Sequence, residues 1–274
     1  MAEWFKAHAW KVCVPSKVPW VRIPLSPPII MLINKLIQNI SSLMLIFNKI
    51  LFLIRSKANF NVILTFLKTK IINIFIKKKI KESKKENVIF LKKKSITTDY
   101  FSSHAYNFCE TLKKFNKFNY LEIGSFEGNS AMFVARNFLN SKIYCIDSWQ
   151  GDEEYYDLEF RRIEENFDKN TSEFKNITKL KTLSDDFFKN NKIKFDAIYI
   201  DGYHKGSQVF KDFKNSWQIL NVGGILIFDD YIWKFFSKIE DNPCYAINKY
   251  LNQISKSIKV LKVSNSQLFI QKTD

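Results

Sequence analysis

Residues 121–130, LEIGSFEGNS, pass from an apolar strand through a loop bounded by two glycines into a polar helix start. Gly124 and Gly128 let the backbone turn tightly and approach a ligand where a Cβ would collide. Asn129 or Ser130 can cap the helix that follows, since a short side-chain oxygen accepts one of its orphan N–H groups. A dinucleotide loop would read G-x-G-x-x-G, with a pyrophosphate at the helix N-terminus. Here the pattern is E-x-G-x-x-x-G. Glu122, two residues ahead of the first glycine, repels a pyrophosphate but suits the cation of a sulfonium or amino-acid group.

On both sides of this loop the chain alternates between strand and helix. Strands are expected at 119–123, 142–147 (KIYCID), 178–183, 196–201 and 224–229 (GILIFD), with helices at 98–115, 129–139, 155–168, 185–190, 206–220 and 243–255. Continuous apolar strands between helices predict an α/β fold with a doubly wound parallel sheet. The last strands, 258–264 and 266–272, meet at the turn Asn265-Ser266 and are expected to pair as an antiparallel hairpin at the sheet edge. Ligands of such sheets bind beyond the carboxyl ends of the strands. Glu122, Asp147, Ser184, Asp201 and Asp229 all fall there. Asp147 can accept both hydroxyls of a ribose.

The fourth strand runs into Asp201, Gly202 and His204, and the fifth ends at Asp229 and Asp230. Three carboxylates converging on one point repel each other unless they are protonated or share a cation. A hard ion such as Mg²⁺, which takes oxygen ligands, relieves that repulsion. An imidazole titrates near neutral pH, so His204 is a candidate general base. A reading without metal or base has Asp201 capping helix 206–220, Asp229 bonded to cofactor or backbone and His204 at the surface. His104 is read as packing or surface. Asp185 and Asp186 suit the start of a helix through its dipole.

The chain resembles the class I S-adenosylmethionine-dependent methyltransferases through LEIGSFEG, CIDSW, IYIDGYH and GGILIFDDY, in that order. The likeness covers residues 97–274 and implies a Rossmann-like seven-stranded methyltransferase sheet. It also implies that Glu122, Gly124, Ser125 and Gly128 border the methionine part of S-adenosylmethionine, Asp147 the ribose and Ser184 the adenine. Trp149 would cover the cofactor or simply pack in its loop. Metal-dependent sugar O-methyltransferases are similar at Asp201, Asp229 and Asp230, the metal positions, and at His204, the base. The resemblance thus implies O-methylation of a glycan or small-molecule hydroxyl, assisted by Mg²⁺. Segment 151–168, GDEEYYDLEFRRIEENFD, lies where such enzymes carry acceptor-recognition elements; its acids and tyrosines could equally form a solvated helix face.

Composition divides the chain. Residues 1–94 hold 19 Lys and Arg against 3 acids, and residues 95–274 hold 24 of each. All seven glycines lie beyond residue 123, and five of the six prolines lie in the first 28 residues. Segment 1–28 is rich in Trp, Pro and Ala, unlike the Ile-, Lys- and Asn-rich remainder. Its VRIP and MAEW back-translate to T-arm-like and D-arm-like sequence, so residues 1–28 resemble a translated serine tRNA gene. Domains are expected at 1–30 (a mis-started or unstructured arm), 31–94 (a basic amphipathic helical extension) and 95–274 (the methyltransferase domain). The extension shows helical apolar spacing from Ile33 to Ile54 and lysine runs beyond, which suits peripheral contact with an anionic membrane, self-association, or packing on its own domain. No nucleic-acid partner is expected, because the lysine run lacks arginine and a recognised nucleic-acid fold. Four cysteines without C-x-x-C spacing fit the reducing cytoplasm. A nicotinamide-dependent oxidoreductase and a non-catalytic cofactor-binding scaffold are the rival readings. The missing G-x-G-x-x-G opposes the first, and the grouping of Asp201, His204 and Asp229 opposes the second.

Overall fold

The computed structural model describes residues 27–151 and 159–274. Five apolar runs form the parallel strands β1 (Asn119–Ile123), β2 (Lys142–Asp147), β3 (Ile177–Lys181), β4 (Phe195–Ile200) and β5 (Leu220–Phe228). The strands β6 (Ile258–Val263) and β7 (Leu268–Lys272) form the hairpin. Its turn is held by the Ser264 hydroxyl, which accepts the N–H groups of Ser266 and Gln267. The sheet order is β3-β2-β1-β4-β5-β7-β6, with β7 antiparallel to both neighbours. This is the expected seven-stranded α/β sheet. Strand order reverses between β1 and β4, which opens a crevice at their carboxyl ends.

The helices are α1 (Pro27–Arg55), α2 (Phe60–Phe75), α3 (Lys77–Leu91), α4 (Ala105–Leu112), α5 (Asn129–Asn137), α6 (Phe160–Thr171), α7 (Ser184–Asn190), α8 (Gly206–Ile219) and α9 (Pro243–Gln253). The helix expected over 98–115 is confined to α4. Asp99 accepts the Ser102 N–H at 2.8 Å, and such a local side-chain bond competes with helix formation. Aromatic side chains dominate the core. Phe108 of α4, for example, meets Tyr199 of β4 edge to face, with ring centroids 5.0 Å apart. Most of segment 1–28 and residues 152–158 of the acidic, aromatic segment lie outside the described residues, and so do the readings made of them.

Residues 48–274 form one compact unit, and the described residues before Asn48 belong to another. Residue 95, the expected domain start, is therefore not where packing divides. Asn59 caps α2 by accepting the Val62 N–H at 3.1 Å, and α2 then lies along β6 with Val62, Phe66 and Thr69 buried. Asn248 of α9 donates to the Ser56 carbonyl at 3.0 Å. From α3, the buried Asn87 amide donates to Ser102 Oγ (2.8 Å) and Asn129 Oδ1 (3.0 Å), and its carbonyl oxygen accepts from Arg136 at 2.7 Å. No helix among the described residues is long and apolar enough to cross a membrane.

Candidate active site

The hydrogen-bond ladder of the sheet continues past the strand ends into the site. Gly124 N–H donates to the Ile146 carbonyl (2.8 Å), Asp201 N–H to that of Ile123 (2.8 Å), and Asp229 N–H to that of Ile200 (3.0 Å). Gly124 has φ +84°, and a Cβ on it would lie 2.0 Å from the Asp201 carbonyl oxygen. Glycine is needed here for two reasons, the left-handed backbone and the approach of the next strand. Gly202 is different: its φ is outside the left-handed range and its virtual Cβ meets Ile123 only at 3.3 Å. Gly124→Ala should cost at least about 1–2 kcal/mol for the left-handed backbone alone, with the clash in addition. Urea unfolding measures this, and an unchanged midpoint would contradict the geometry.

A cavity of about 430 Å³ opens over these ends. It is lined by Gly124, Ser125, Asp147, Ser184, Asp201, His204, Asp229 and Asp230, together with Phe126, Thr98, Tyr100, His104, Gln208 and Asp212. Asp147 binds the loop to β2: its Oδ2 accepts the N–H groups of Ser125 (3.0 Å) and Phe126 (2.9 Å), and its Oδ1 that of Trp149 (2.8 Å). Burial raises its carboxyl above the usual range, and these N–H groups oppose that shift. Gly128, at φ +82°, is the N-cap of α5, so neither Asn129 nor Ser130 takes the expected capping position.

Glu122, Gly128 and Trp149 do not line the cavity. Glu122 is wholly buried in β1, where it accepts the Tyr120 hydroxyl at 3.0 Å, and burial pushes its carboxyl up to about 8. Burial thus favours its protonated form over the anion read from the sequence. The Trp149 indole packs on Phe167 (centroids 4.9 Å) and donates to the Phe126 carbonyl at 2.9 Å, under the Lys179 ammonium. That is loop packing.

In the same cavity, His204 Nε2 lies 3.5 Å from Asp201 Oδ1 and 3.2 Å from Asp230 Oδ2. One ligand atom from each of Asp201, His204 and Asp230 fits within 4.8 Å of the others. Asp230 adopts φ +48°, a conformation aspartate tolerates, and its N–H donates to Asp229 Oδ1 at 2.9 Å. Asp229, expected as a third metal carboxylate, is not in this group. Its Oδ2 instead accepts from Tyr199 Oη and, at 3.2 Å, from Gln267 Nε2. Tyr199 Oη also lies 2.8 Å from Asp201 Oδ2. Burial first, then the Asp229 charge, raises the Asp201 carboxyl, while His204 lowers it.

Two groups were missed in the sequence. The turns at 96–104 bring Thr98, Tyr100 and His104 to the cavity, although His104 was read as packing or surface. On α8, Asp212 is buried and pushed up to about 6 by desolvation, and Gln208 Nε2 lies 3.2 Å from Asp212, Asp185 and Ser184 oxygens. The available signal was Asp212 among the apolar positions Val209, Phe213 and Trp217.

Residues 121–231 match the family model of a methyltransferase domain. A protein of Acanthamoeba polyphaga mimivirus, R132, is 31% identical over 134 residues, which are 46% of this chain and 56% of that protein. The chain thus spans little more than half of that relative's length. Among solved structures, one named as a caffeoyl-CoA O-methyltransferase from Staphylococcus aureus aligns over 75% of this chain and 99% of its own, with TM-score 0.50 and 16% identity. Another, named as an O-methyltransferase from Klebsiella pneumoniae, covers 75% and 97%, with TM-score 0.50 and 10% identity. At these identities the structures speak for the fold. Residues 121–231 thus match a methyltransferase domain, and the sheet that holds them has the fold of these solved structures.

Proposed function

We propose that the domain transfers the sulfonium methyl of S-adenosylmethionine to a hydroxyl oxygen of a small molecule or glycan. The observation that carries this reading is the convergence of Asp201, His204 and Asp230 in the cavity that also reaches Gly124 and Asp147. The cavity fits the cofactor: about 430 Å³ is within the range of small-molecule sites. Ser125 Oγ, buried at its wall, has no well-aligned hydrogen-bond partner among the described residues.

Gly124 would admit the methionine part against bare backbone, and Asp147, which lines the same cavity, would face the ribose. Ser184 and Gln208, which line the same cavity, would border the adenine. Asp201 and Asp230 supply carboxylate oxygens that suit Mg²⁺, which when bound would acidify and orient a coordinated hydroxyl. His204 then accepts the hydroxyl proton as the oxygen takes the methyl group, and S-adenosylhomocysteine leaves. Catalysis rests mainly on alignment of donor and acceptor. The free thiols of Cys109, Cys145 and Cys244 are consistent with a cytoplasmic enzyme.

Calorimetric titration of the full chain with S-adenosylhomocysteine, with Mg²⁺ and again with chelator, tests the reading. Binding is expected in both buffers, since the cofactor half needs no metal ligand. Failure in both would refute it.

A further inference from the structure

We infer that the junction of α2 and α3 docks on an anionic lipid bilayer, with Ile71, Ile74 and Phe75 entering the interface and the lysines after them contacting headgroups. This inference stands independently of the methyl-transfer reading.

Helix α2 is apolar on two sides. Val62, Phe66 and Thr69 face the sheet, while Phe60, Leu67, Ile71, Ile74 and Phe75 recur at three-, four- and seven-residue spacing on the opposite side. Those five side chains are exposed, with Ile74 at 72% and Phe75 at 81%. A helix apolar all round is ordinarily buried, and a contiguous apolar patch in water signals an interaction surface. Ile72, also exposed, extends the patch at its carboxyl end.

Charge indicates what covers it. Residues 68–86 hold eight lysines and two glutamates. Lys77, Lys78 and Lys79 follow the apolar tip at once, and Lys68, Lys81, Lys84 and Lys85 are exposed as well. The glutamates offset little: Lys78 and Glu82 are 3.9 Å apart and both well exposed. A second copy laid face to face would bring the same lysines together, whereas an anionic surface neutralises them. Apolar side chains beside clustered lysines are the features that favour the headgroup boundary of such a bilayer. The described helices lie short of a span, so surface contact is the mode that fits.

The full chain should float with vesicles of phosphatidylcholine and phosphatidylserine, remain behind with phosphatidylcholine alone, and be released by salt. Lys77, Lys78 and Lys79 replaced together by Gln should weaken binding about 100-fold, at about fivefold for each lysine near the surface. Ile71→Ser, Ile74→Ser and Phe75→Ser together should abolish binding while leaving the thermal midpoint and S-adenosylhomocysteine titration unchanged, because none of the three is buried. No flotation, or equal flotation with both vesicle types, would overturn the inference. So would a dimer in sedimentation that the serine variant disrupts, because the patch would then belong to a second copy. Loss of S-adenosylhomocysteine binding by the parent chain would instead refute the reading of the active site and leave this one intact.

Discussion

A chain that begins at Ser95 will fail to fold cooperatively, whereas one that begins at Asn48 will unfold in a single transition near that of the full chain. The shorter chain loses Leu53, Val62 and Phe66, all fully buried, and Leu91 at 8% exposure. At about 1.5–3 kcal/mol for each buried side chain, the loss is comparable to the whole stability of a typical domain, about 5–15 kcal/mol. It also strips α2 from the edge strand β6, and a bare edge invites pairing with another chain. Asn248 would lose its Ser56 carbonyl acceptor, and Ser102 and Arg136 would lose Asn87. Circular dichroism during heating decides the matter. A cooperative transition of the 95–274 chain near that of the full chain would show residues 48–94 to be dispensable.

His204→Ala should lower turnover by about 10²–10⁴-fold, the usual contribution of a positioned general base. S-adenosylhomocysteine affinity should be unchanged, because the residues proposed for the cofactor, Gly124, Asp147, Ser184 and Gln208, do not include His204. The same imidazole could instead be a metal ligand, since it sits with Asp201 and Asp230. Titrating turnover with Mg²⁺ separates the two roles. A base leaves the metal midpoint of His204→Gln where it was and lowers only the plateau. A ligand shifts the midpoint, and excess metal restores the rate. Unchanged turnover in the alanine variant would remove His204 from the mechanism altogether.

The sheet and the rim of the site were legible because both follow from local pattern. A buried parallel strand reads as an unbroken apolar run, and the polar residue that ends it must lie where the ligand crevice opens. Asp147, Asp201 and Asp230 needed nothing more. Side-chain direction at the rim was not legible, because it is set by residues distant in the chain. Asp229 turns toward Tyr199 and Gln267, which lie 30 and 38 positions away. Trp149 is held by Phe167 and by the Phe126 carbonyl, which are also distant in the chain. The place of α2 was hidden for another reason. Both its faces are apolar, so its pattern marks a helix without saying which side meets the domain.

The three backbone bonds that carry the ladder past the strand ends bear on how the enzyme spends its binding energy. Gly124, Asp201 and Asp229 are spaced by the hydrogen-bonded pitch of neighbouring strands, a length fixed by peptide geometry. On the proposed reading, donor and acceptor subsites therefore sit on one rigid ruler. Little conformational freedom is left to be frozen when both ligands arrive, so more of the binding energy can go to aligning methyl and oxygen. For the same reason the acceptor-facing side chains can change, and the range of acceptors with them, while the distance over which the methyl must travel stays the same.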